Sequence, residues 1–214
     1  MLSEGQDTAR QPAGGARTGS ERNRVYRSTR EIKYGDCARL ITSIILIGMP
    51  GAGKSTAGVI LAKTMGMQFV DTDIVIQQKC GRLLQEIIDA EGPESFLATE
   101  EKTVLALEER NAVIATGGSV VFSRRAMEHL KSDGVVVYLR ISFEEMEKRL
   151  MNITMRGIVL HAGQGLRDMY NERVPLYEQY ADITIGCADE DFERVVSTIV
   201  DELKKYRPGH RPGR

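Results

Sequence analysis

Short runs of continuous apolar residues alternate along this chain with longer stretches whose apolar positions recur at helical spacing. Ile41–Ile47 is the first run, rich in β-branched side chains; glycines follow at once, then a helical pattern from Lys54 to Met65. Met67–Val70 is a second short strand. A long, mostly helical block runs from Ile74 to Arg110 and is broken near Gly81 and at Gly92-Pro93, residues that interrupt helices. Ala112–Ala115 and Val135–Leu139 are continuous apolar strands. Ser123–Lys131, with Ser123 as cap, and Ser142–Leu150 are helices; Ile183–Ile185 is a last strand and Asp189–Lys205 a last helix. Strands apolar on both faces and separated by helices predict a parallel α/β sheet covered on both sides. Ligands of such sheets sit at the carboxyl ends of the strands.

Composition narrows the class. The chain has 214 residues, 42% hydrophobic and 28% charged, which suits one domain with tails. Its 29 basic and 30 acidic side chains leave a formal charge of −1, so no overall basic field points to nucleic acid. No apolar run reaches the length of a membrane span. Cys37, Cys80 and Cys187 form no C-x-x-C pair and are odd in number, which suits a reduced, cytoplasmic protein. Residues 1–40 hold eight Lys/Arg against five Asp/Glu, and the rest 21 against 25. Within that segment residues 5–20 show no apolar period, so 1–40 is expected to be a disordered tail. Glu4, Asp7, Glu21 and Glu31 interrupt its basic residues, which argues against an organelle-targeting peptide. The folded domain is expected over 41–206, and 207–214 as a basic C-terminal tail.

The strongest motif is Gly48-Met-Pro-Gly51-Ala52-Gly53-Lys54-Ser55, a G-x-x-x-x-G-K-[ST] loop between a strand and a helix. Its glycines let backbone N–H groups curl around nucleotide phosphates at a helix N-terminus. Lys54 is placed to reach the β- and γ-phosphates, and the Ser55 hydroxyl to ligate Mg²⁺. The chain has no N-K-x-D run for guanine and no L-S-G-G-Q run. Asp71-Thr72-Asp73 follows the second strand; alternating residues leaving a strand point to opposite faces, so one carboxylate can serve the metal and the other an acceptor. Gly117-Gly118-Ser119 ends the third strand, where bare backbone admits a substrate. Arg149 and Arg156 flank an expected lid, and Arg173 adds a fixed cation before the last strand. Together these groups predict a phosphoryl-transfer site.

Carrying these motifs in order from Ile44 to Lys205, the chain resembles the shikimate kinase family, small P-loop kinases of the nucleoside-monophosphate-kinase-like group. The resemblance implies a three-layer P-loop kinase fold, a five-stranded parallel sheet flanked by helices, with a mobile lid. It implies a monomeric, ATP- and Mg²⁺-dependent kinase that transfers the γ-phosphoryl group to a hydroxyl of a small carboxylate metabolite, shikimate by default. Lys54, Asp73 and Arg156 would be catalytic. Gly48, Gly51, Ala52, Gly53, Lys54, Ser55 and Thr56 would hold the nucleotide, with Arg149 packed on adenine and Arg156 closing from the lid. Ser55 and Asp71 would serve the metal, Asp71 through water. Asp73, Phe96, Glu100, Gly117, Gly118, Ser119 and Arg173 would face the acceptor.

Three positions depart from that pattern. Leu97 stands where the family has a carboxylate-binding arginine, while its partner one turn on, Glu100, is present. Ser119 replaces the last glycine of a Gly-Gly-Gly run, and Gly157 follows Arg156 in place of proline. If 96–100 is helical, Glu100 is an unpaired carboxylate near the acceptor, or it points to solvent. An unpaired Glu100 would welcome an ammonium, which makes homoserine or another hydroxy-amino acid the alternative acceptor. A nucleotide-binding module that has lost catalysis is a third possibility.

Overall fold

Five short strands, continuous in apolar character, build a single parallel sheet in the order β2-β3-β1-β4-β5 in a computed structural model. It describes residues 43–152, 157–160, 163–187 and 191–206. The expected tails and Arg156 therefore lie outside the described residues. The strands are β1 (Ser43–Gly48), β2 (Gln68–Asp71), β3 (Ala112–Ala115), β4 (Gly134–Arg140) and β5 (Ile183–Gly186). Register is set by Ser43 standing opposite Ala112 on one side and Gly134 on the other. All six residues of β1 are buried, as required of a central strand covered on both faces.

The helices are α1 (Lys54–Met65), α2 (Thr72–Cys80), α3 (Leu84–Leu105), α4 (Arg124–Ser132), α5 (Phe143–Asn152), α6 (Leu166–Tyr180) and α7 (Phe192–Lys205). Right-handed crossovers put α1 on one face, because β1 leads leftward to β2. The connections from β2 to β3, β3 to β4 and β4 to β5 all run rightward, and their helices take the other face. α7 returns to pack on α1. The sheet changes direction beside β1, and the loop after β1 opens at that switch point, where α/β sheets bind their ligands.

Local chemistry sets the boundaries. α1 starts after Gly53 and ends at Gly66, both left-handed. Gly81, also left-handed, ends α2. Within α3, Gly92 is non-helical (φ 83°) and Pro93 restarts the helix, a position where its missing N–H leaves nothing unpaired. Ser123 accepts from the Ala126 N–H and caps α4, as expected. Two differences from the sequence pattern appear. The helical block stops at Leu105, with Ala106–Arg110 leading into β3 in irregular backbone. α6 was not expected at all: Pro175 falls inside it, while its buried residues Met169, Arg173 and Tyr177 repeat every four positions.

The main core lies on both faces of the sheet. A smaller cluster under α2 and α3 joins Ile76, Leu84, Ile87, Phe96 and Val159, with Leu97 packed at its edge. Gly48 ends β1 at φ 147°, and a Cβ there would press on the Leu139 carbonyl oxygen. Gly48→Ala is thus expected to lose about 2 kcal/mol of stability. In a domain of this size that lowers Tm by roughly 4–8 °C, read by circular dichroism. An unchanged Tm would mean the loop moves aside at no cost.

Candidate active site

The site forms where β1, β2 and β3 end. Gly48, Gly51 and Gly53 all have positive φ, a succession that turns the loop back on itself around a concavity of N–H groups. Gly51 and Gly53 are also hemmed by side chains: a Cβ would meet Arg149 at the first and Phe192 at the second. Ala52 is buried beneath the loop, and Thr56 lies exposed one residue after Ser55. Lys54, first in α1, folds over the loop and donates from Nζ to the carbonyls of Gly48 and Met49, both at 2.9 Å. Burial pulls its pKa down to about 8, against the raising pull of Asp73 and Asp71.

Asp71 ends β2 and uses both oxygens. Oδ1 accepts from the N–H groups of Asp73 (3.0 Å) and Ile74 (3.3 Å), capping α2. Oδ2 accepts the Ser55 hydroxyl at 2.6 Å. Asp71 and Asp73 therefore diverge because a helix begins between them, and pleat alternation plays no part. Asp73 sits in the first turn of α2; burial first, then the Asp71 charge, push its carboxyl up to about 6. Thr72, between them, is fully buried and accepts from the Gly117 N–H at 3.1 Å. That bond ties the acceptor loop to α2.

Glu100, on α3, does not point to solvent: it is 2% exposed. Its Oε2 accepts from the Ser119 hydroxyl at 2.8 Å, and Oε1 has no partner among the described residues. Burial raises its pKa to about 8, with the Ser119 hydrogen bond working against that and Asp73 adding to it. Arg173, on α6, is equally buried; Nη2 donates to the Val159 carbonyl at 2.6 Å and Nε is unpartnered. Its guanidinium lies over the Phe122 ring. Gly117 and Gly118 pass between these groups: a Cβ on Gly117 would crowd Glu100 Oε1 and Asp73 Oδ1, and one on Gly118 would crowd Pro50 and Arg173. Phe96 is packed in the small core beneath them.

Arg149 is buried, and all three of its nitrogens are held. Nε donates to Glu145 (2.7 Å), Nη1 to the Gly51 carbonyl (3.2 Å) and Nη2 to the Cys187 carbonyl (3.1 Å). It thus clamps the phosphate loop to the segment after β5. Thr72, Tyr177 and Phe122 were not singled out from sequence. Tyr177 donates to the Gly118 carbonyl at 2.6 Å, and its spacing of four from Arg173 was the available signal. Among the described residues no cluster of three or more His, Cys, Asp or Glu could hold a metal.

A glycine cradle with its lysine, a Ser–Asp oxygen pair and a facing pocket of buried ions define a P-loop phosphotransferase. The shikimate kinase profile matches residues 50–204. The chain is 36% identical over 163 residues to a shikimate kinase of Pasteurella multocida, covering 74% of this chain and 93% of that one. It is 38% identical over 167 residues to shikimate kinase 1 of Escherichia coli, covering 76% and 96%. Among solved structures, shikimate kinase from Acinetobacter baumannii in complex with shikimate superposes with a TM-score of 0.69 at 31% identity, over 77% and 94% of the two chains. The chain belongs to the shikimate kinase family, whose members are ATP-dependent small-molecule kinases.

The buried carboxyl of Glu100 makes stability depend on pH. Its folded pKa lies above its ordinary value of 4.5, so the folded chain keeps a proton that the unfolded chain has released. That contribution is complete below about pH 4.5 and is lost as the pH rises toward 8. Glu100→Gln cannot ionise but still accepts from Ser119. Its Tm advantage over the parent chain is expected to be larger at about pH 8.5 than at about pH 5, in thermal melts without ligand. Equal differences at both pH values would show that Glu100 does not titrate as a buried group.

Proposed function

We propose that this protein is an ATP- and Mg²⁺-dependent kinase that moves the γ-phosphoryl group of ATP to a hydroxyl of a small carboxylate, shikimate being the acceptor that family membership supports. The observation that carries this is the arrangement of Lys54 over the glycine loop, Ser55 bonded to Asp71, and Asp73, Glu100 and Arg173 bordering the adjacent Gly117-Gly118 backbone. The loop residues Gly48, Gly51, Ala52, Gly53 and Thr56 surround the phosphates, and Lys54 leaves its two carbonyl partners for them. With its edges occupied, Arg149 has its planar face to offer the adenine. Arg156 completes the nucleotide side from the lid.

The Ser55–Asp71 pair is made of oxygen donors only, which suits Mg²⁺, a cation usually held by one or two protein groups plus phosphates. Ser55 would bind it directly and Asp71 through water; when bound it neutralises charge on the phosphate oxygens. The acceptor oxygen forms a bond to the γ-phosphorus while the bond to the β–γ bridging oxygen breaks and ADP leaves. The hydroxyl proton passes to Asp73, whose raised pKa lies close to neutral pH, where a general base works best. Arg173 holds the acceptor carboxylate, and Gly117, Gly118 and Ser119 give it a close backbone wall. Phe96 supports that wall from the small core. The free thiols of Cys80 and Cys187 fit a reducing cytoplasm, and every described site residue lies on this one chain, which fits a monomer. No helix among the described residues is long and apolar enough to cross a membrane.

Incubation of the full chain with Mg-ATP and shikimate, with mass-spectrometric detection of product, is expected to give phosphorylated shikimate. Nucleotide binding with no product from shikimate or any other small alcohol would favour a binding module. Lys54→Met is expected to lower kcat by roughly 10³-fold while the fold is kept. Asp73→Asn is expected to lower kcat by about 10²–10⁴-fold, with nucleotide affinity changed only a few-fold. Equal losses in kcat and nucleotide affinity would assign Asp73 a structural role.

A further inference from the structure

Two buried side chains, a carboxyl and a guanidinium, are left incomplete beside one loop. Glu100 Oε1 has no partner among the described residues and Arg173 Nε has none either, yet both residues are 2% exposed. They are not paired with each other, since no described cation comes within salt-bridge distance of Glu100. Without a partner, burial keeps the Glu100 carboxyl protonated; a cationic group placed beside Oε1 would let it ionise there, and Arg173 Nε likewise has an open donor.

The two side chains border one loop. Glu100 Oε1 and Asp73 Oδ1 both lie within 3 Å of the position a Gly117 Cβ would occupy, and Arg173 Nη1 lies 3.2 Å from that of Gly118. Two acceptor oxygens and one guanidinium thus face the same bare stretch of backbone. A cavity of about 530 Å³ on the other side of Glu100 is lined by Leu97, Glu100 and Ser119 and not by Asp73, Gly117, Gly118 or Arg173, and Leu97 brings no charge to it. The other cations lining that cavity are not placed to neutralise Glu100: Arg125 is bonded to Glu101 at 2.7 Å, and Lys102 is exposed. Ser119 keeps Glu100 from rotating away by donating to Oε2.

A small anionic acceptor satisfies Arg173 and leaves Glu100 Oε1 as it is. A zwitterion satisfies both. We propose that this site also phosphorylates hydroxy-amino acids, with Glu100 Oε1 receiving the acceptor's ammonium group, Arg173 its carboxylate and Asp73 its hydroxyl. This rests on the kinase reading above and adds an acceptor class to it. The ammonium stays protonated throughout. The bond formed is from the acceptor hydroxyl oxygen to the γ-phosphorus, the bond broken is to the bridging oxygen of ATP, and the hydroxyl proton goes to Asp73.

The probes are L-homoserine and 4-hydroxybutyrate, which differ only in the amino group, with shikimate as a third acceptor. With the full chain and Mg-ATP, kcat/KM is expected to favour homoserine over 4-hydroxybutyrate by at least about 100-fold, the scale of a buried charged hydrogen bond. In Glu100→Gln that ratio is expected to fall to within about fivefold. Leu97→Arg, which puts a permanent cation in the same cavity, is expected to erase the preference and leave Glu100 in place. Calorimetric binding of the two acceptors, in the presence of a non-hydrolysable ATP analogue, should show the same order. No preference for homoserine in the parent chain, or a preference that survives Glu100→Gln, overturns the proposal. Turnover of shikimate alone overturns it and leaves the kinase reading standing. No phosphorylated product from any acceptor sinks the kinase reading, and the binding arm then still decides whether Glu100 selects an ammonium.

Discussion

The carboxylate of Asp71 holds the two halves of the site in register. One oxygen caps α2, and the other takes the Ser55 hydroxyl from the first turn of α1. The helix that carries Lys54 and the helix that carries Asp73 are thus referred to a single strand end. Thr72 extends the same stitching to the next strand through the Gly117 N–H. Phosphoryl transfer asks little of a protein beyond positioning and charge, so fixed spacing between donor and acceptor sides is most of what the fold must supply. An error of an ångström at Asp71 would displace both sides at once.

The same compactness forces like and unlike charges out of water together. Burial lowers Lys54 and raises Asp73 and Glu100, so the site is poised between charged and neutral forms near pH 7. Lys54 spends its hydrogen bonds on two loop carbonyls, Gly48 and Met49, partners that a polyphosphate can outcompete. Burying these groups costs stability, the usual trade between stability and activity at a working site.

Much of this was legible before any coordinates. Continuous apolar strands with helices between them are sufficient to specify a parallel sheet, and the glycine–lysine–serine loop after β1 has one structural context that makes chemical sense. What was not legible has physical causes. Pro175 hides α6, whose signal is an every-fourth-residue repeat of Met169, Arg173 and Tyr177 in which the middle member is charged. Asp71 and Asp73 turn to different neighbours because a helix starts between them and not through strand alternation, since a cap and a strand end look alike in sequence. Burial of Glu100 could not be read at all: helical periodicity places it on the face of Phe96, but whether that face meets solvent or a substrate pocket depends on the distant loop Gly117–Ser119.

That dependence reflects two separately supported halves of the site. The phosphate side is built from β1, α1 and the end of β2, inside the main core. The acceptor side leans on a separate small core of Ile76, Leu84, Ile87, Phe96 and Val159, with Leu97 at its margin and Ser119 on the facing loop. A charge lost at 97 and a hydroxyl gained at 119 alter what Glu100 is bonded to without touching the cradle, Lys54 or the Ser55–Asp71 bond. Val159 belongs to both arrangements, since its side chain fills the small core and its carbonyl holds Arg173. Arg173 itself rides on α6, whose Met169 and Tyr177 belong to the main core, so it bridges the two cores. The two sides are joined through Asp71, Thr72 and the Thr116 bonds to the Leu46 carbonyl, so a change confined to Leu97 or Ser119 leaves those joints untouched.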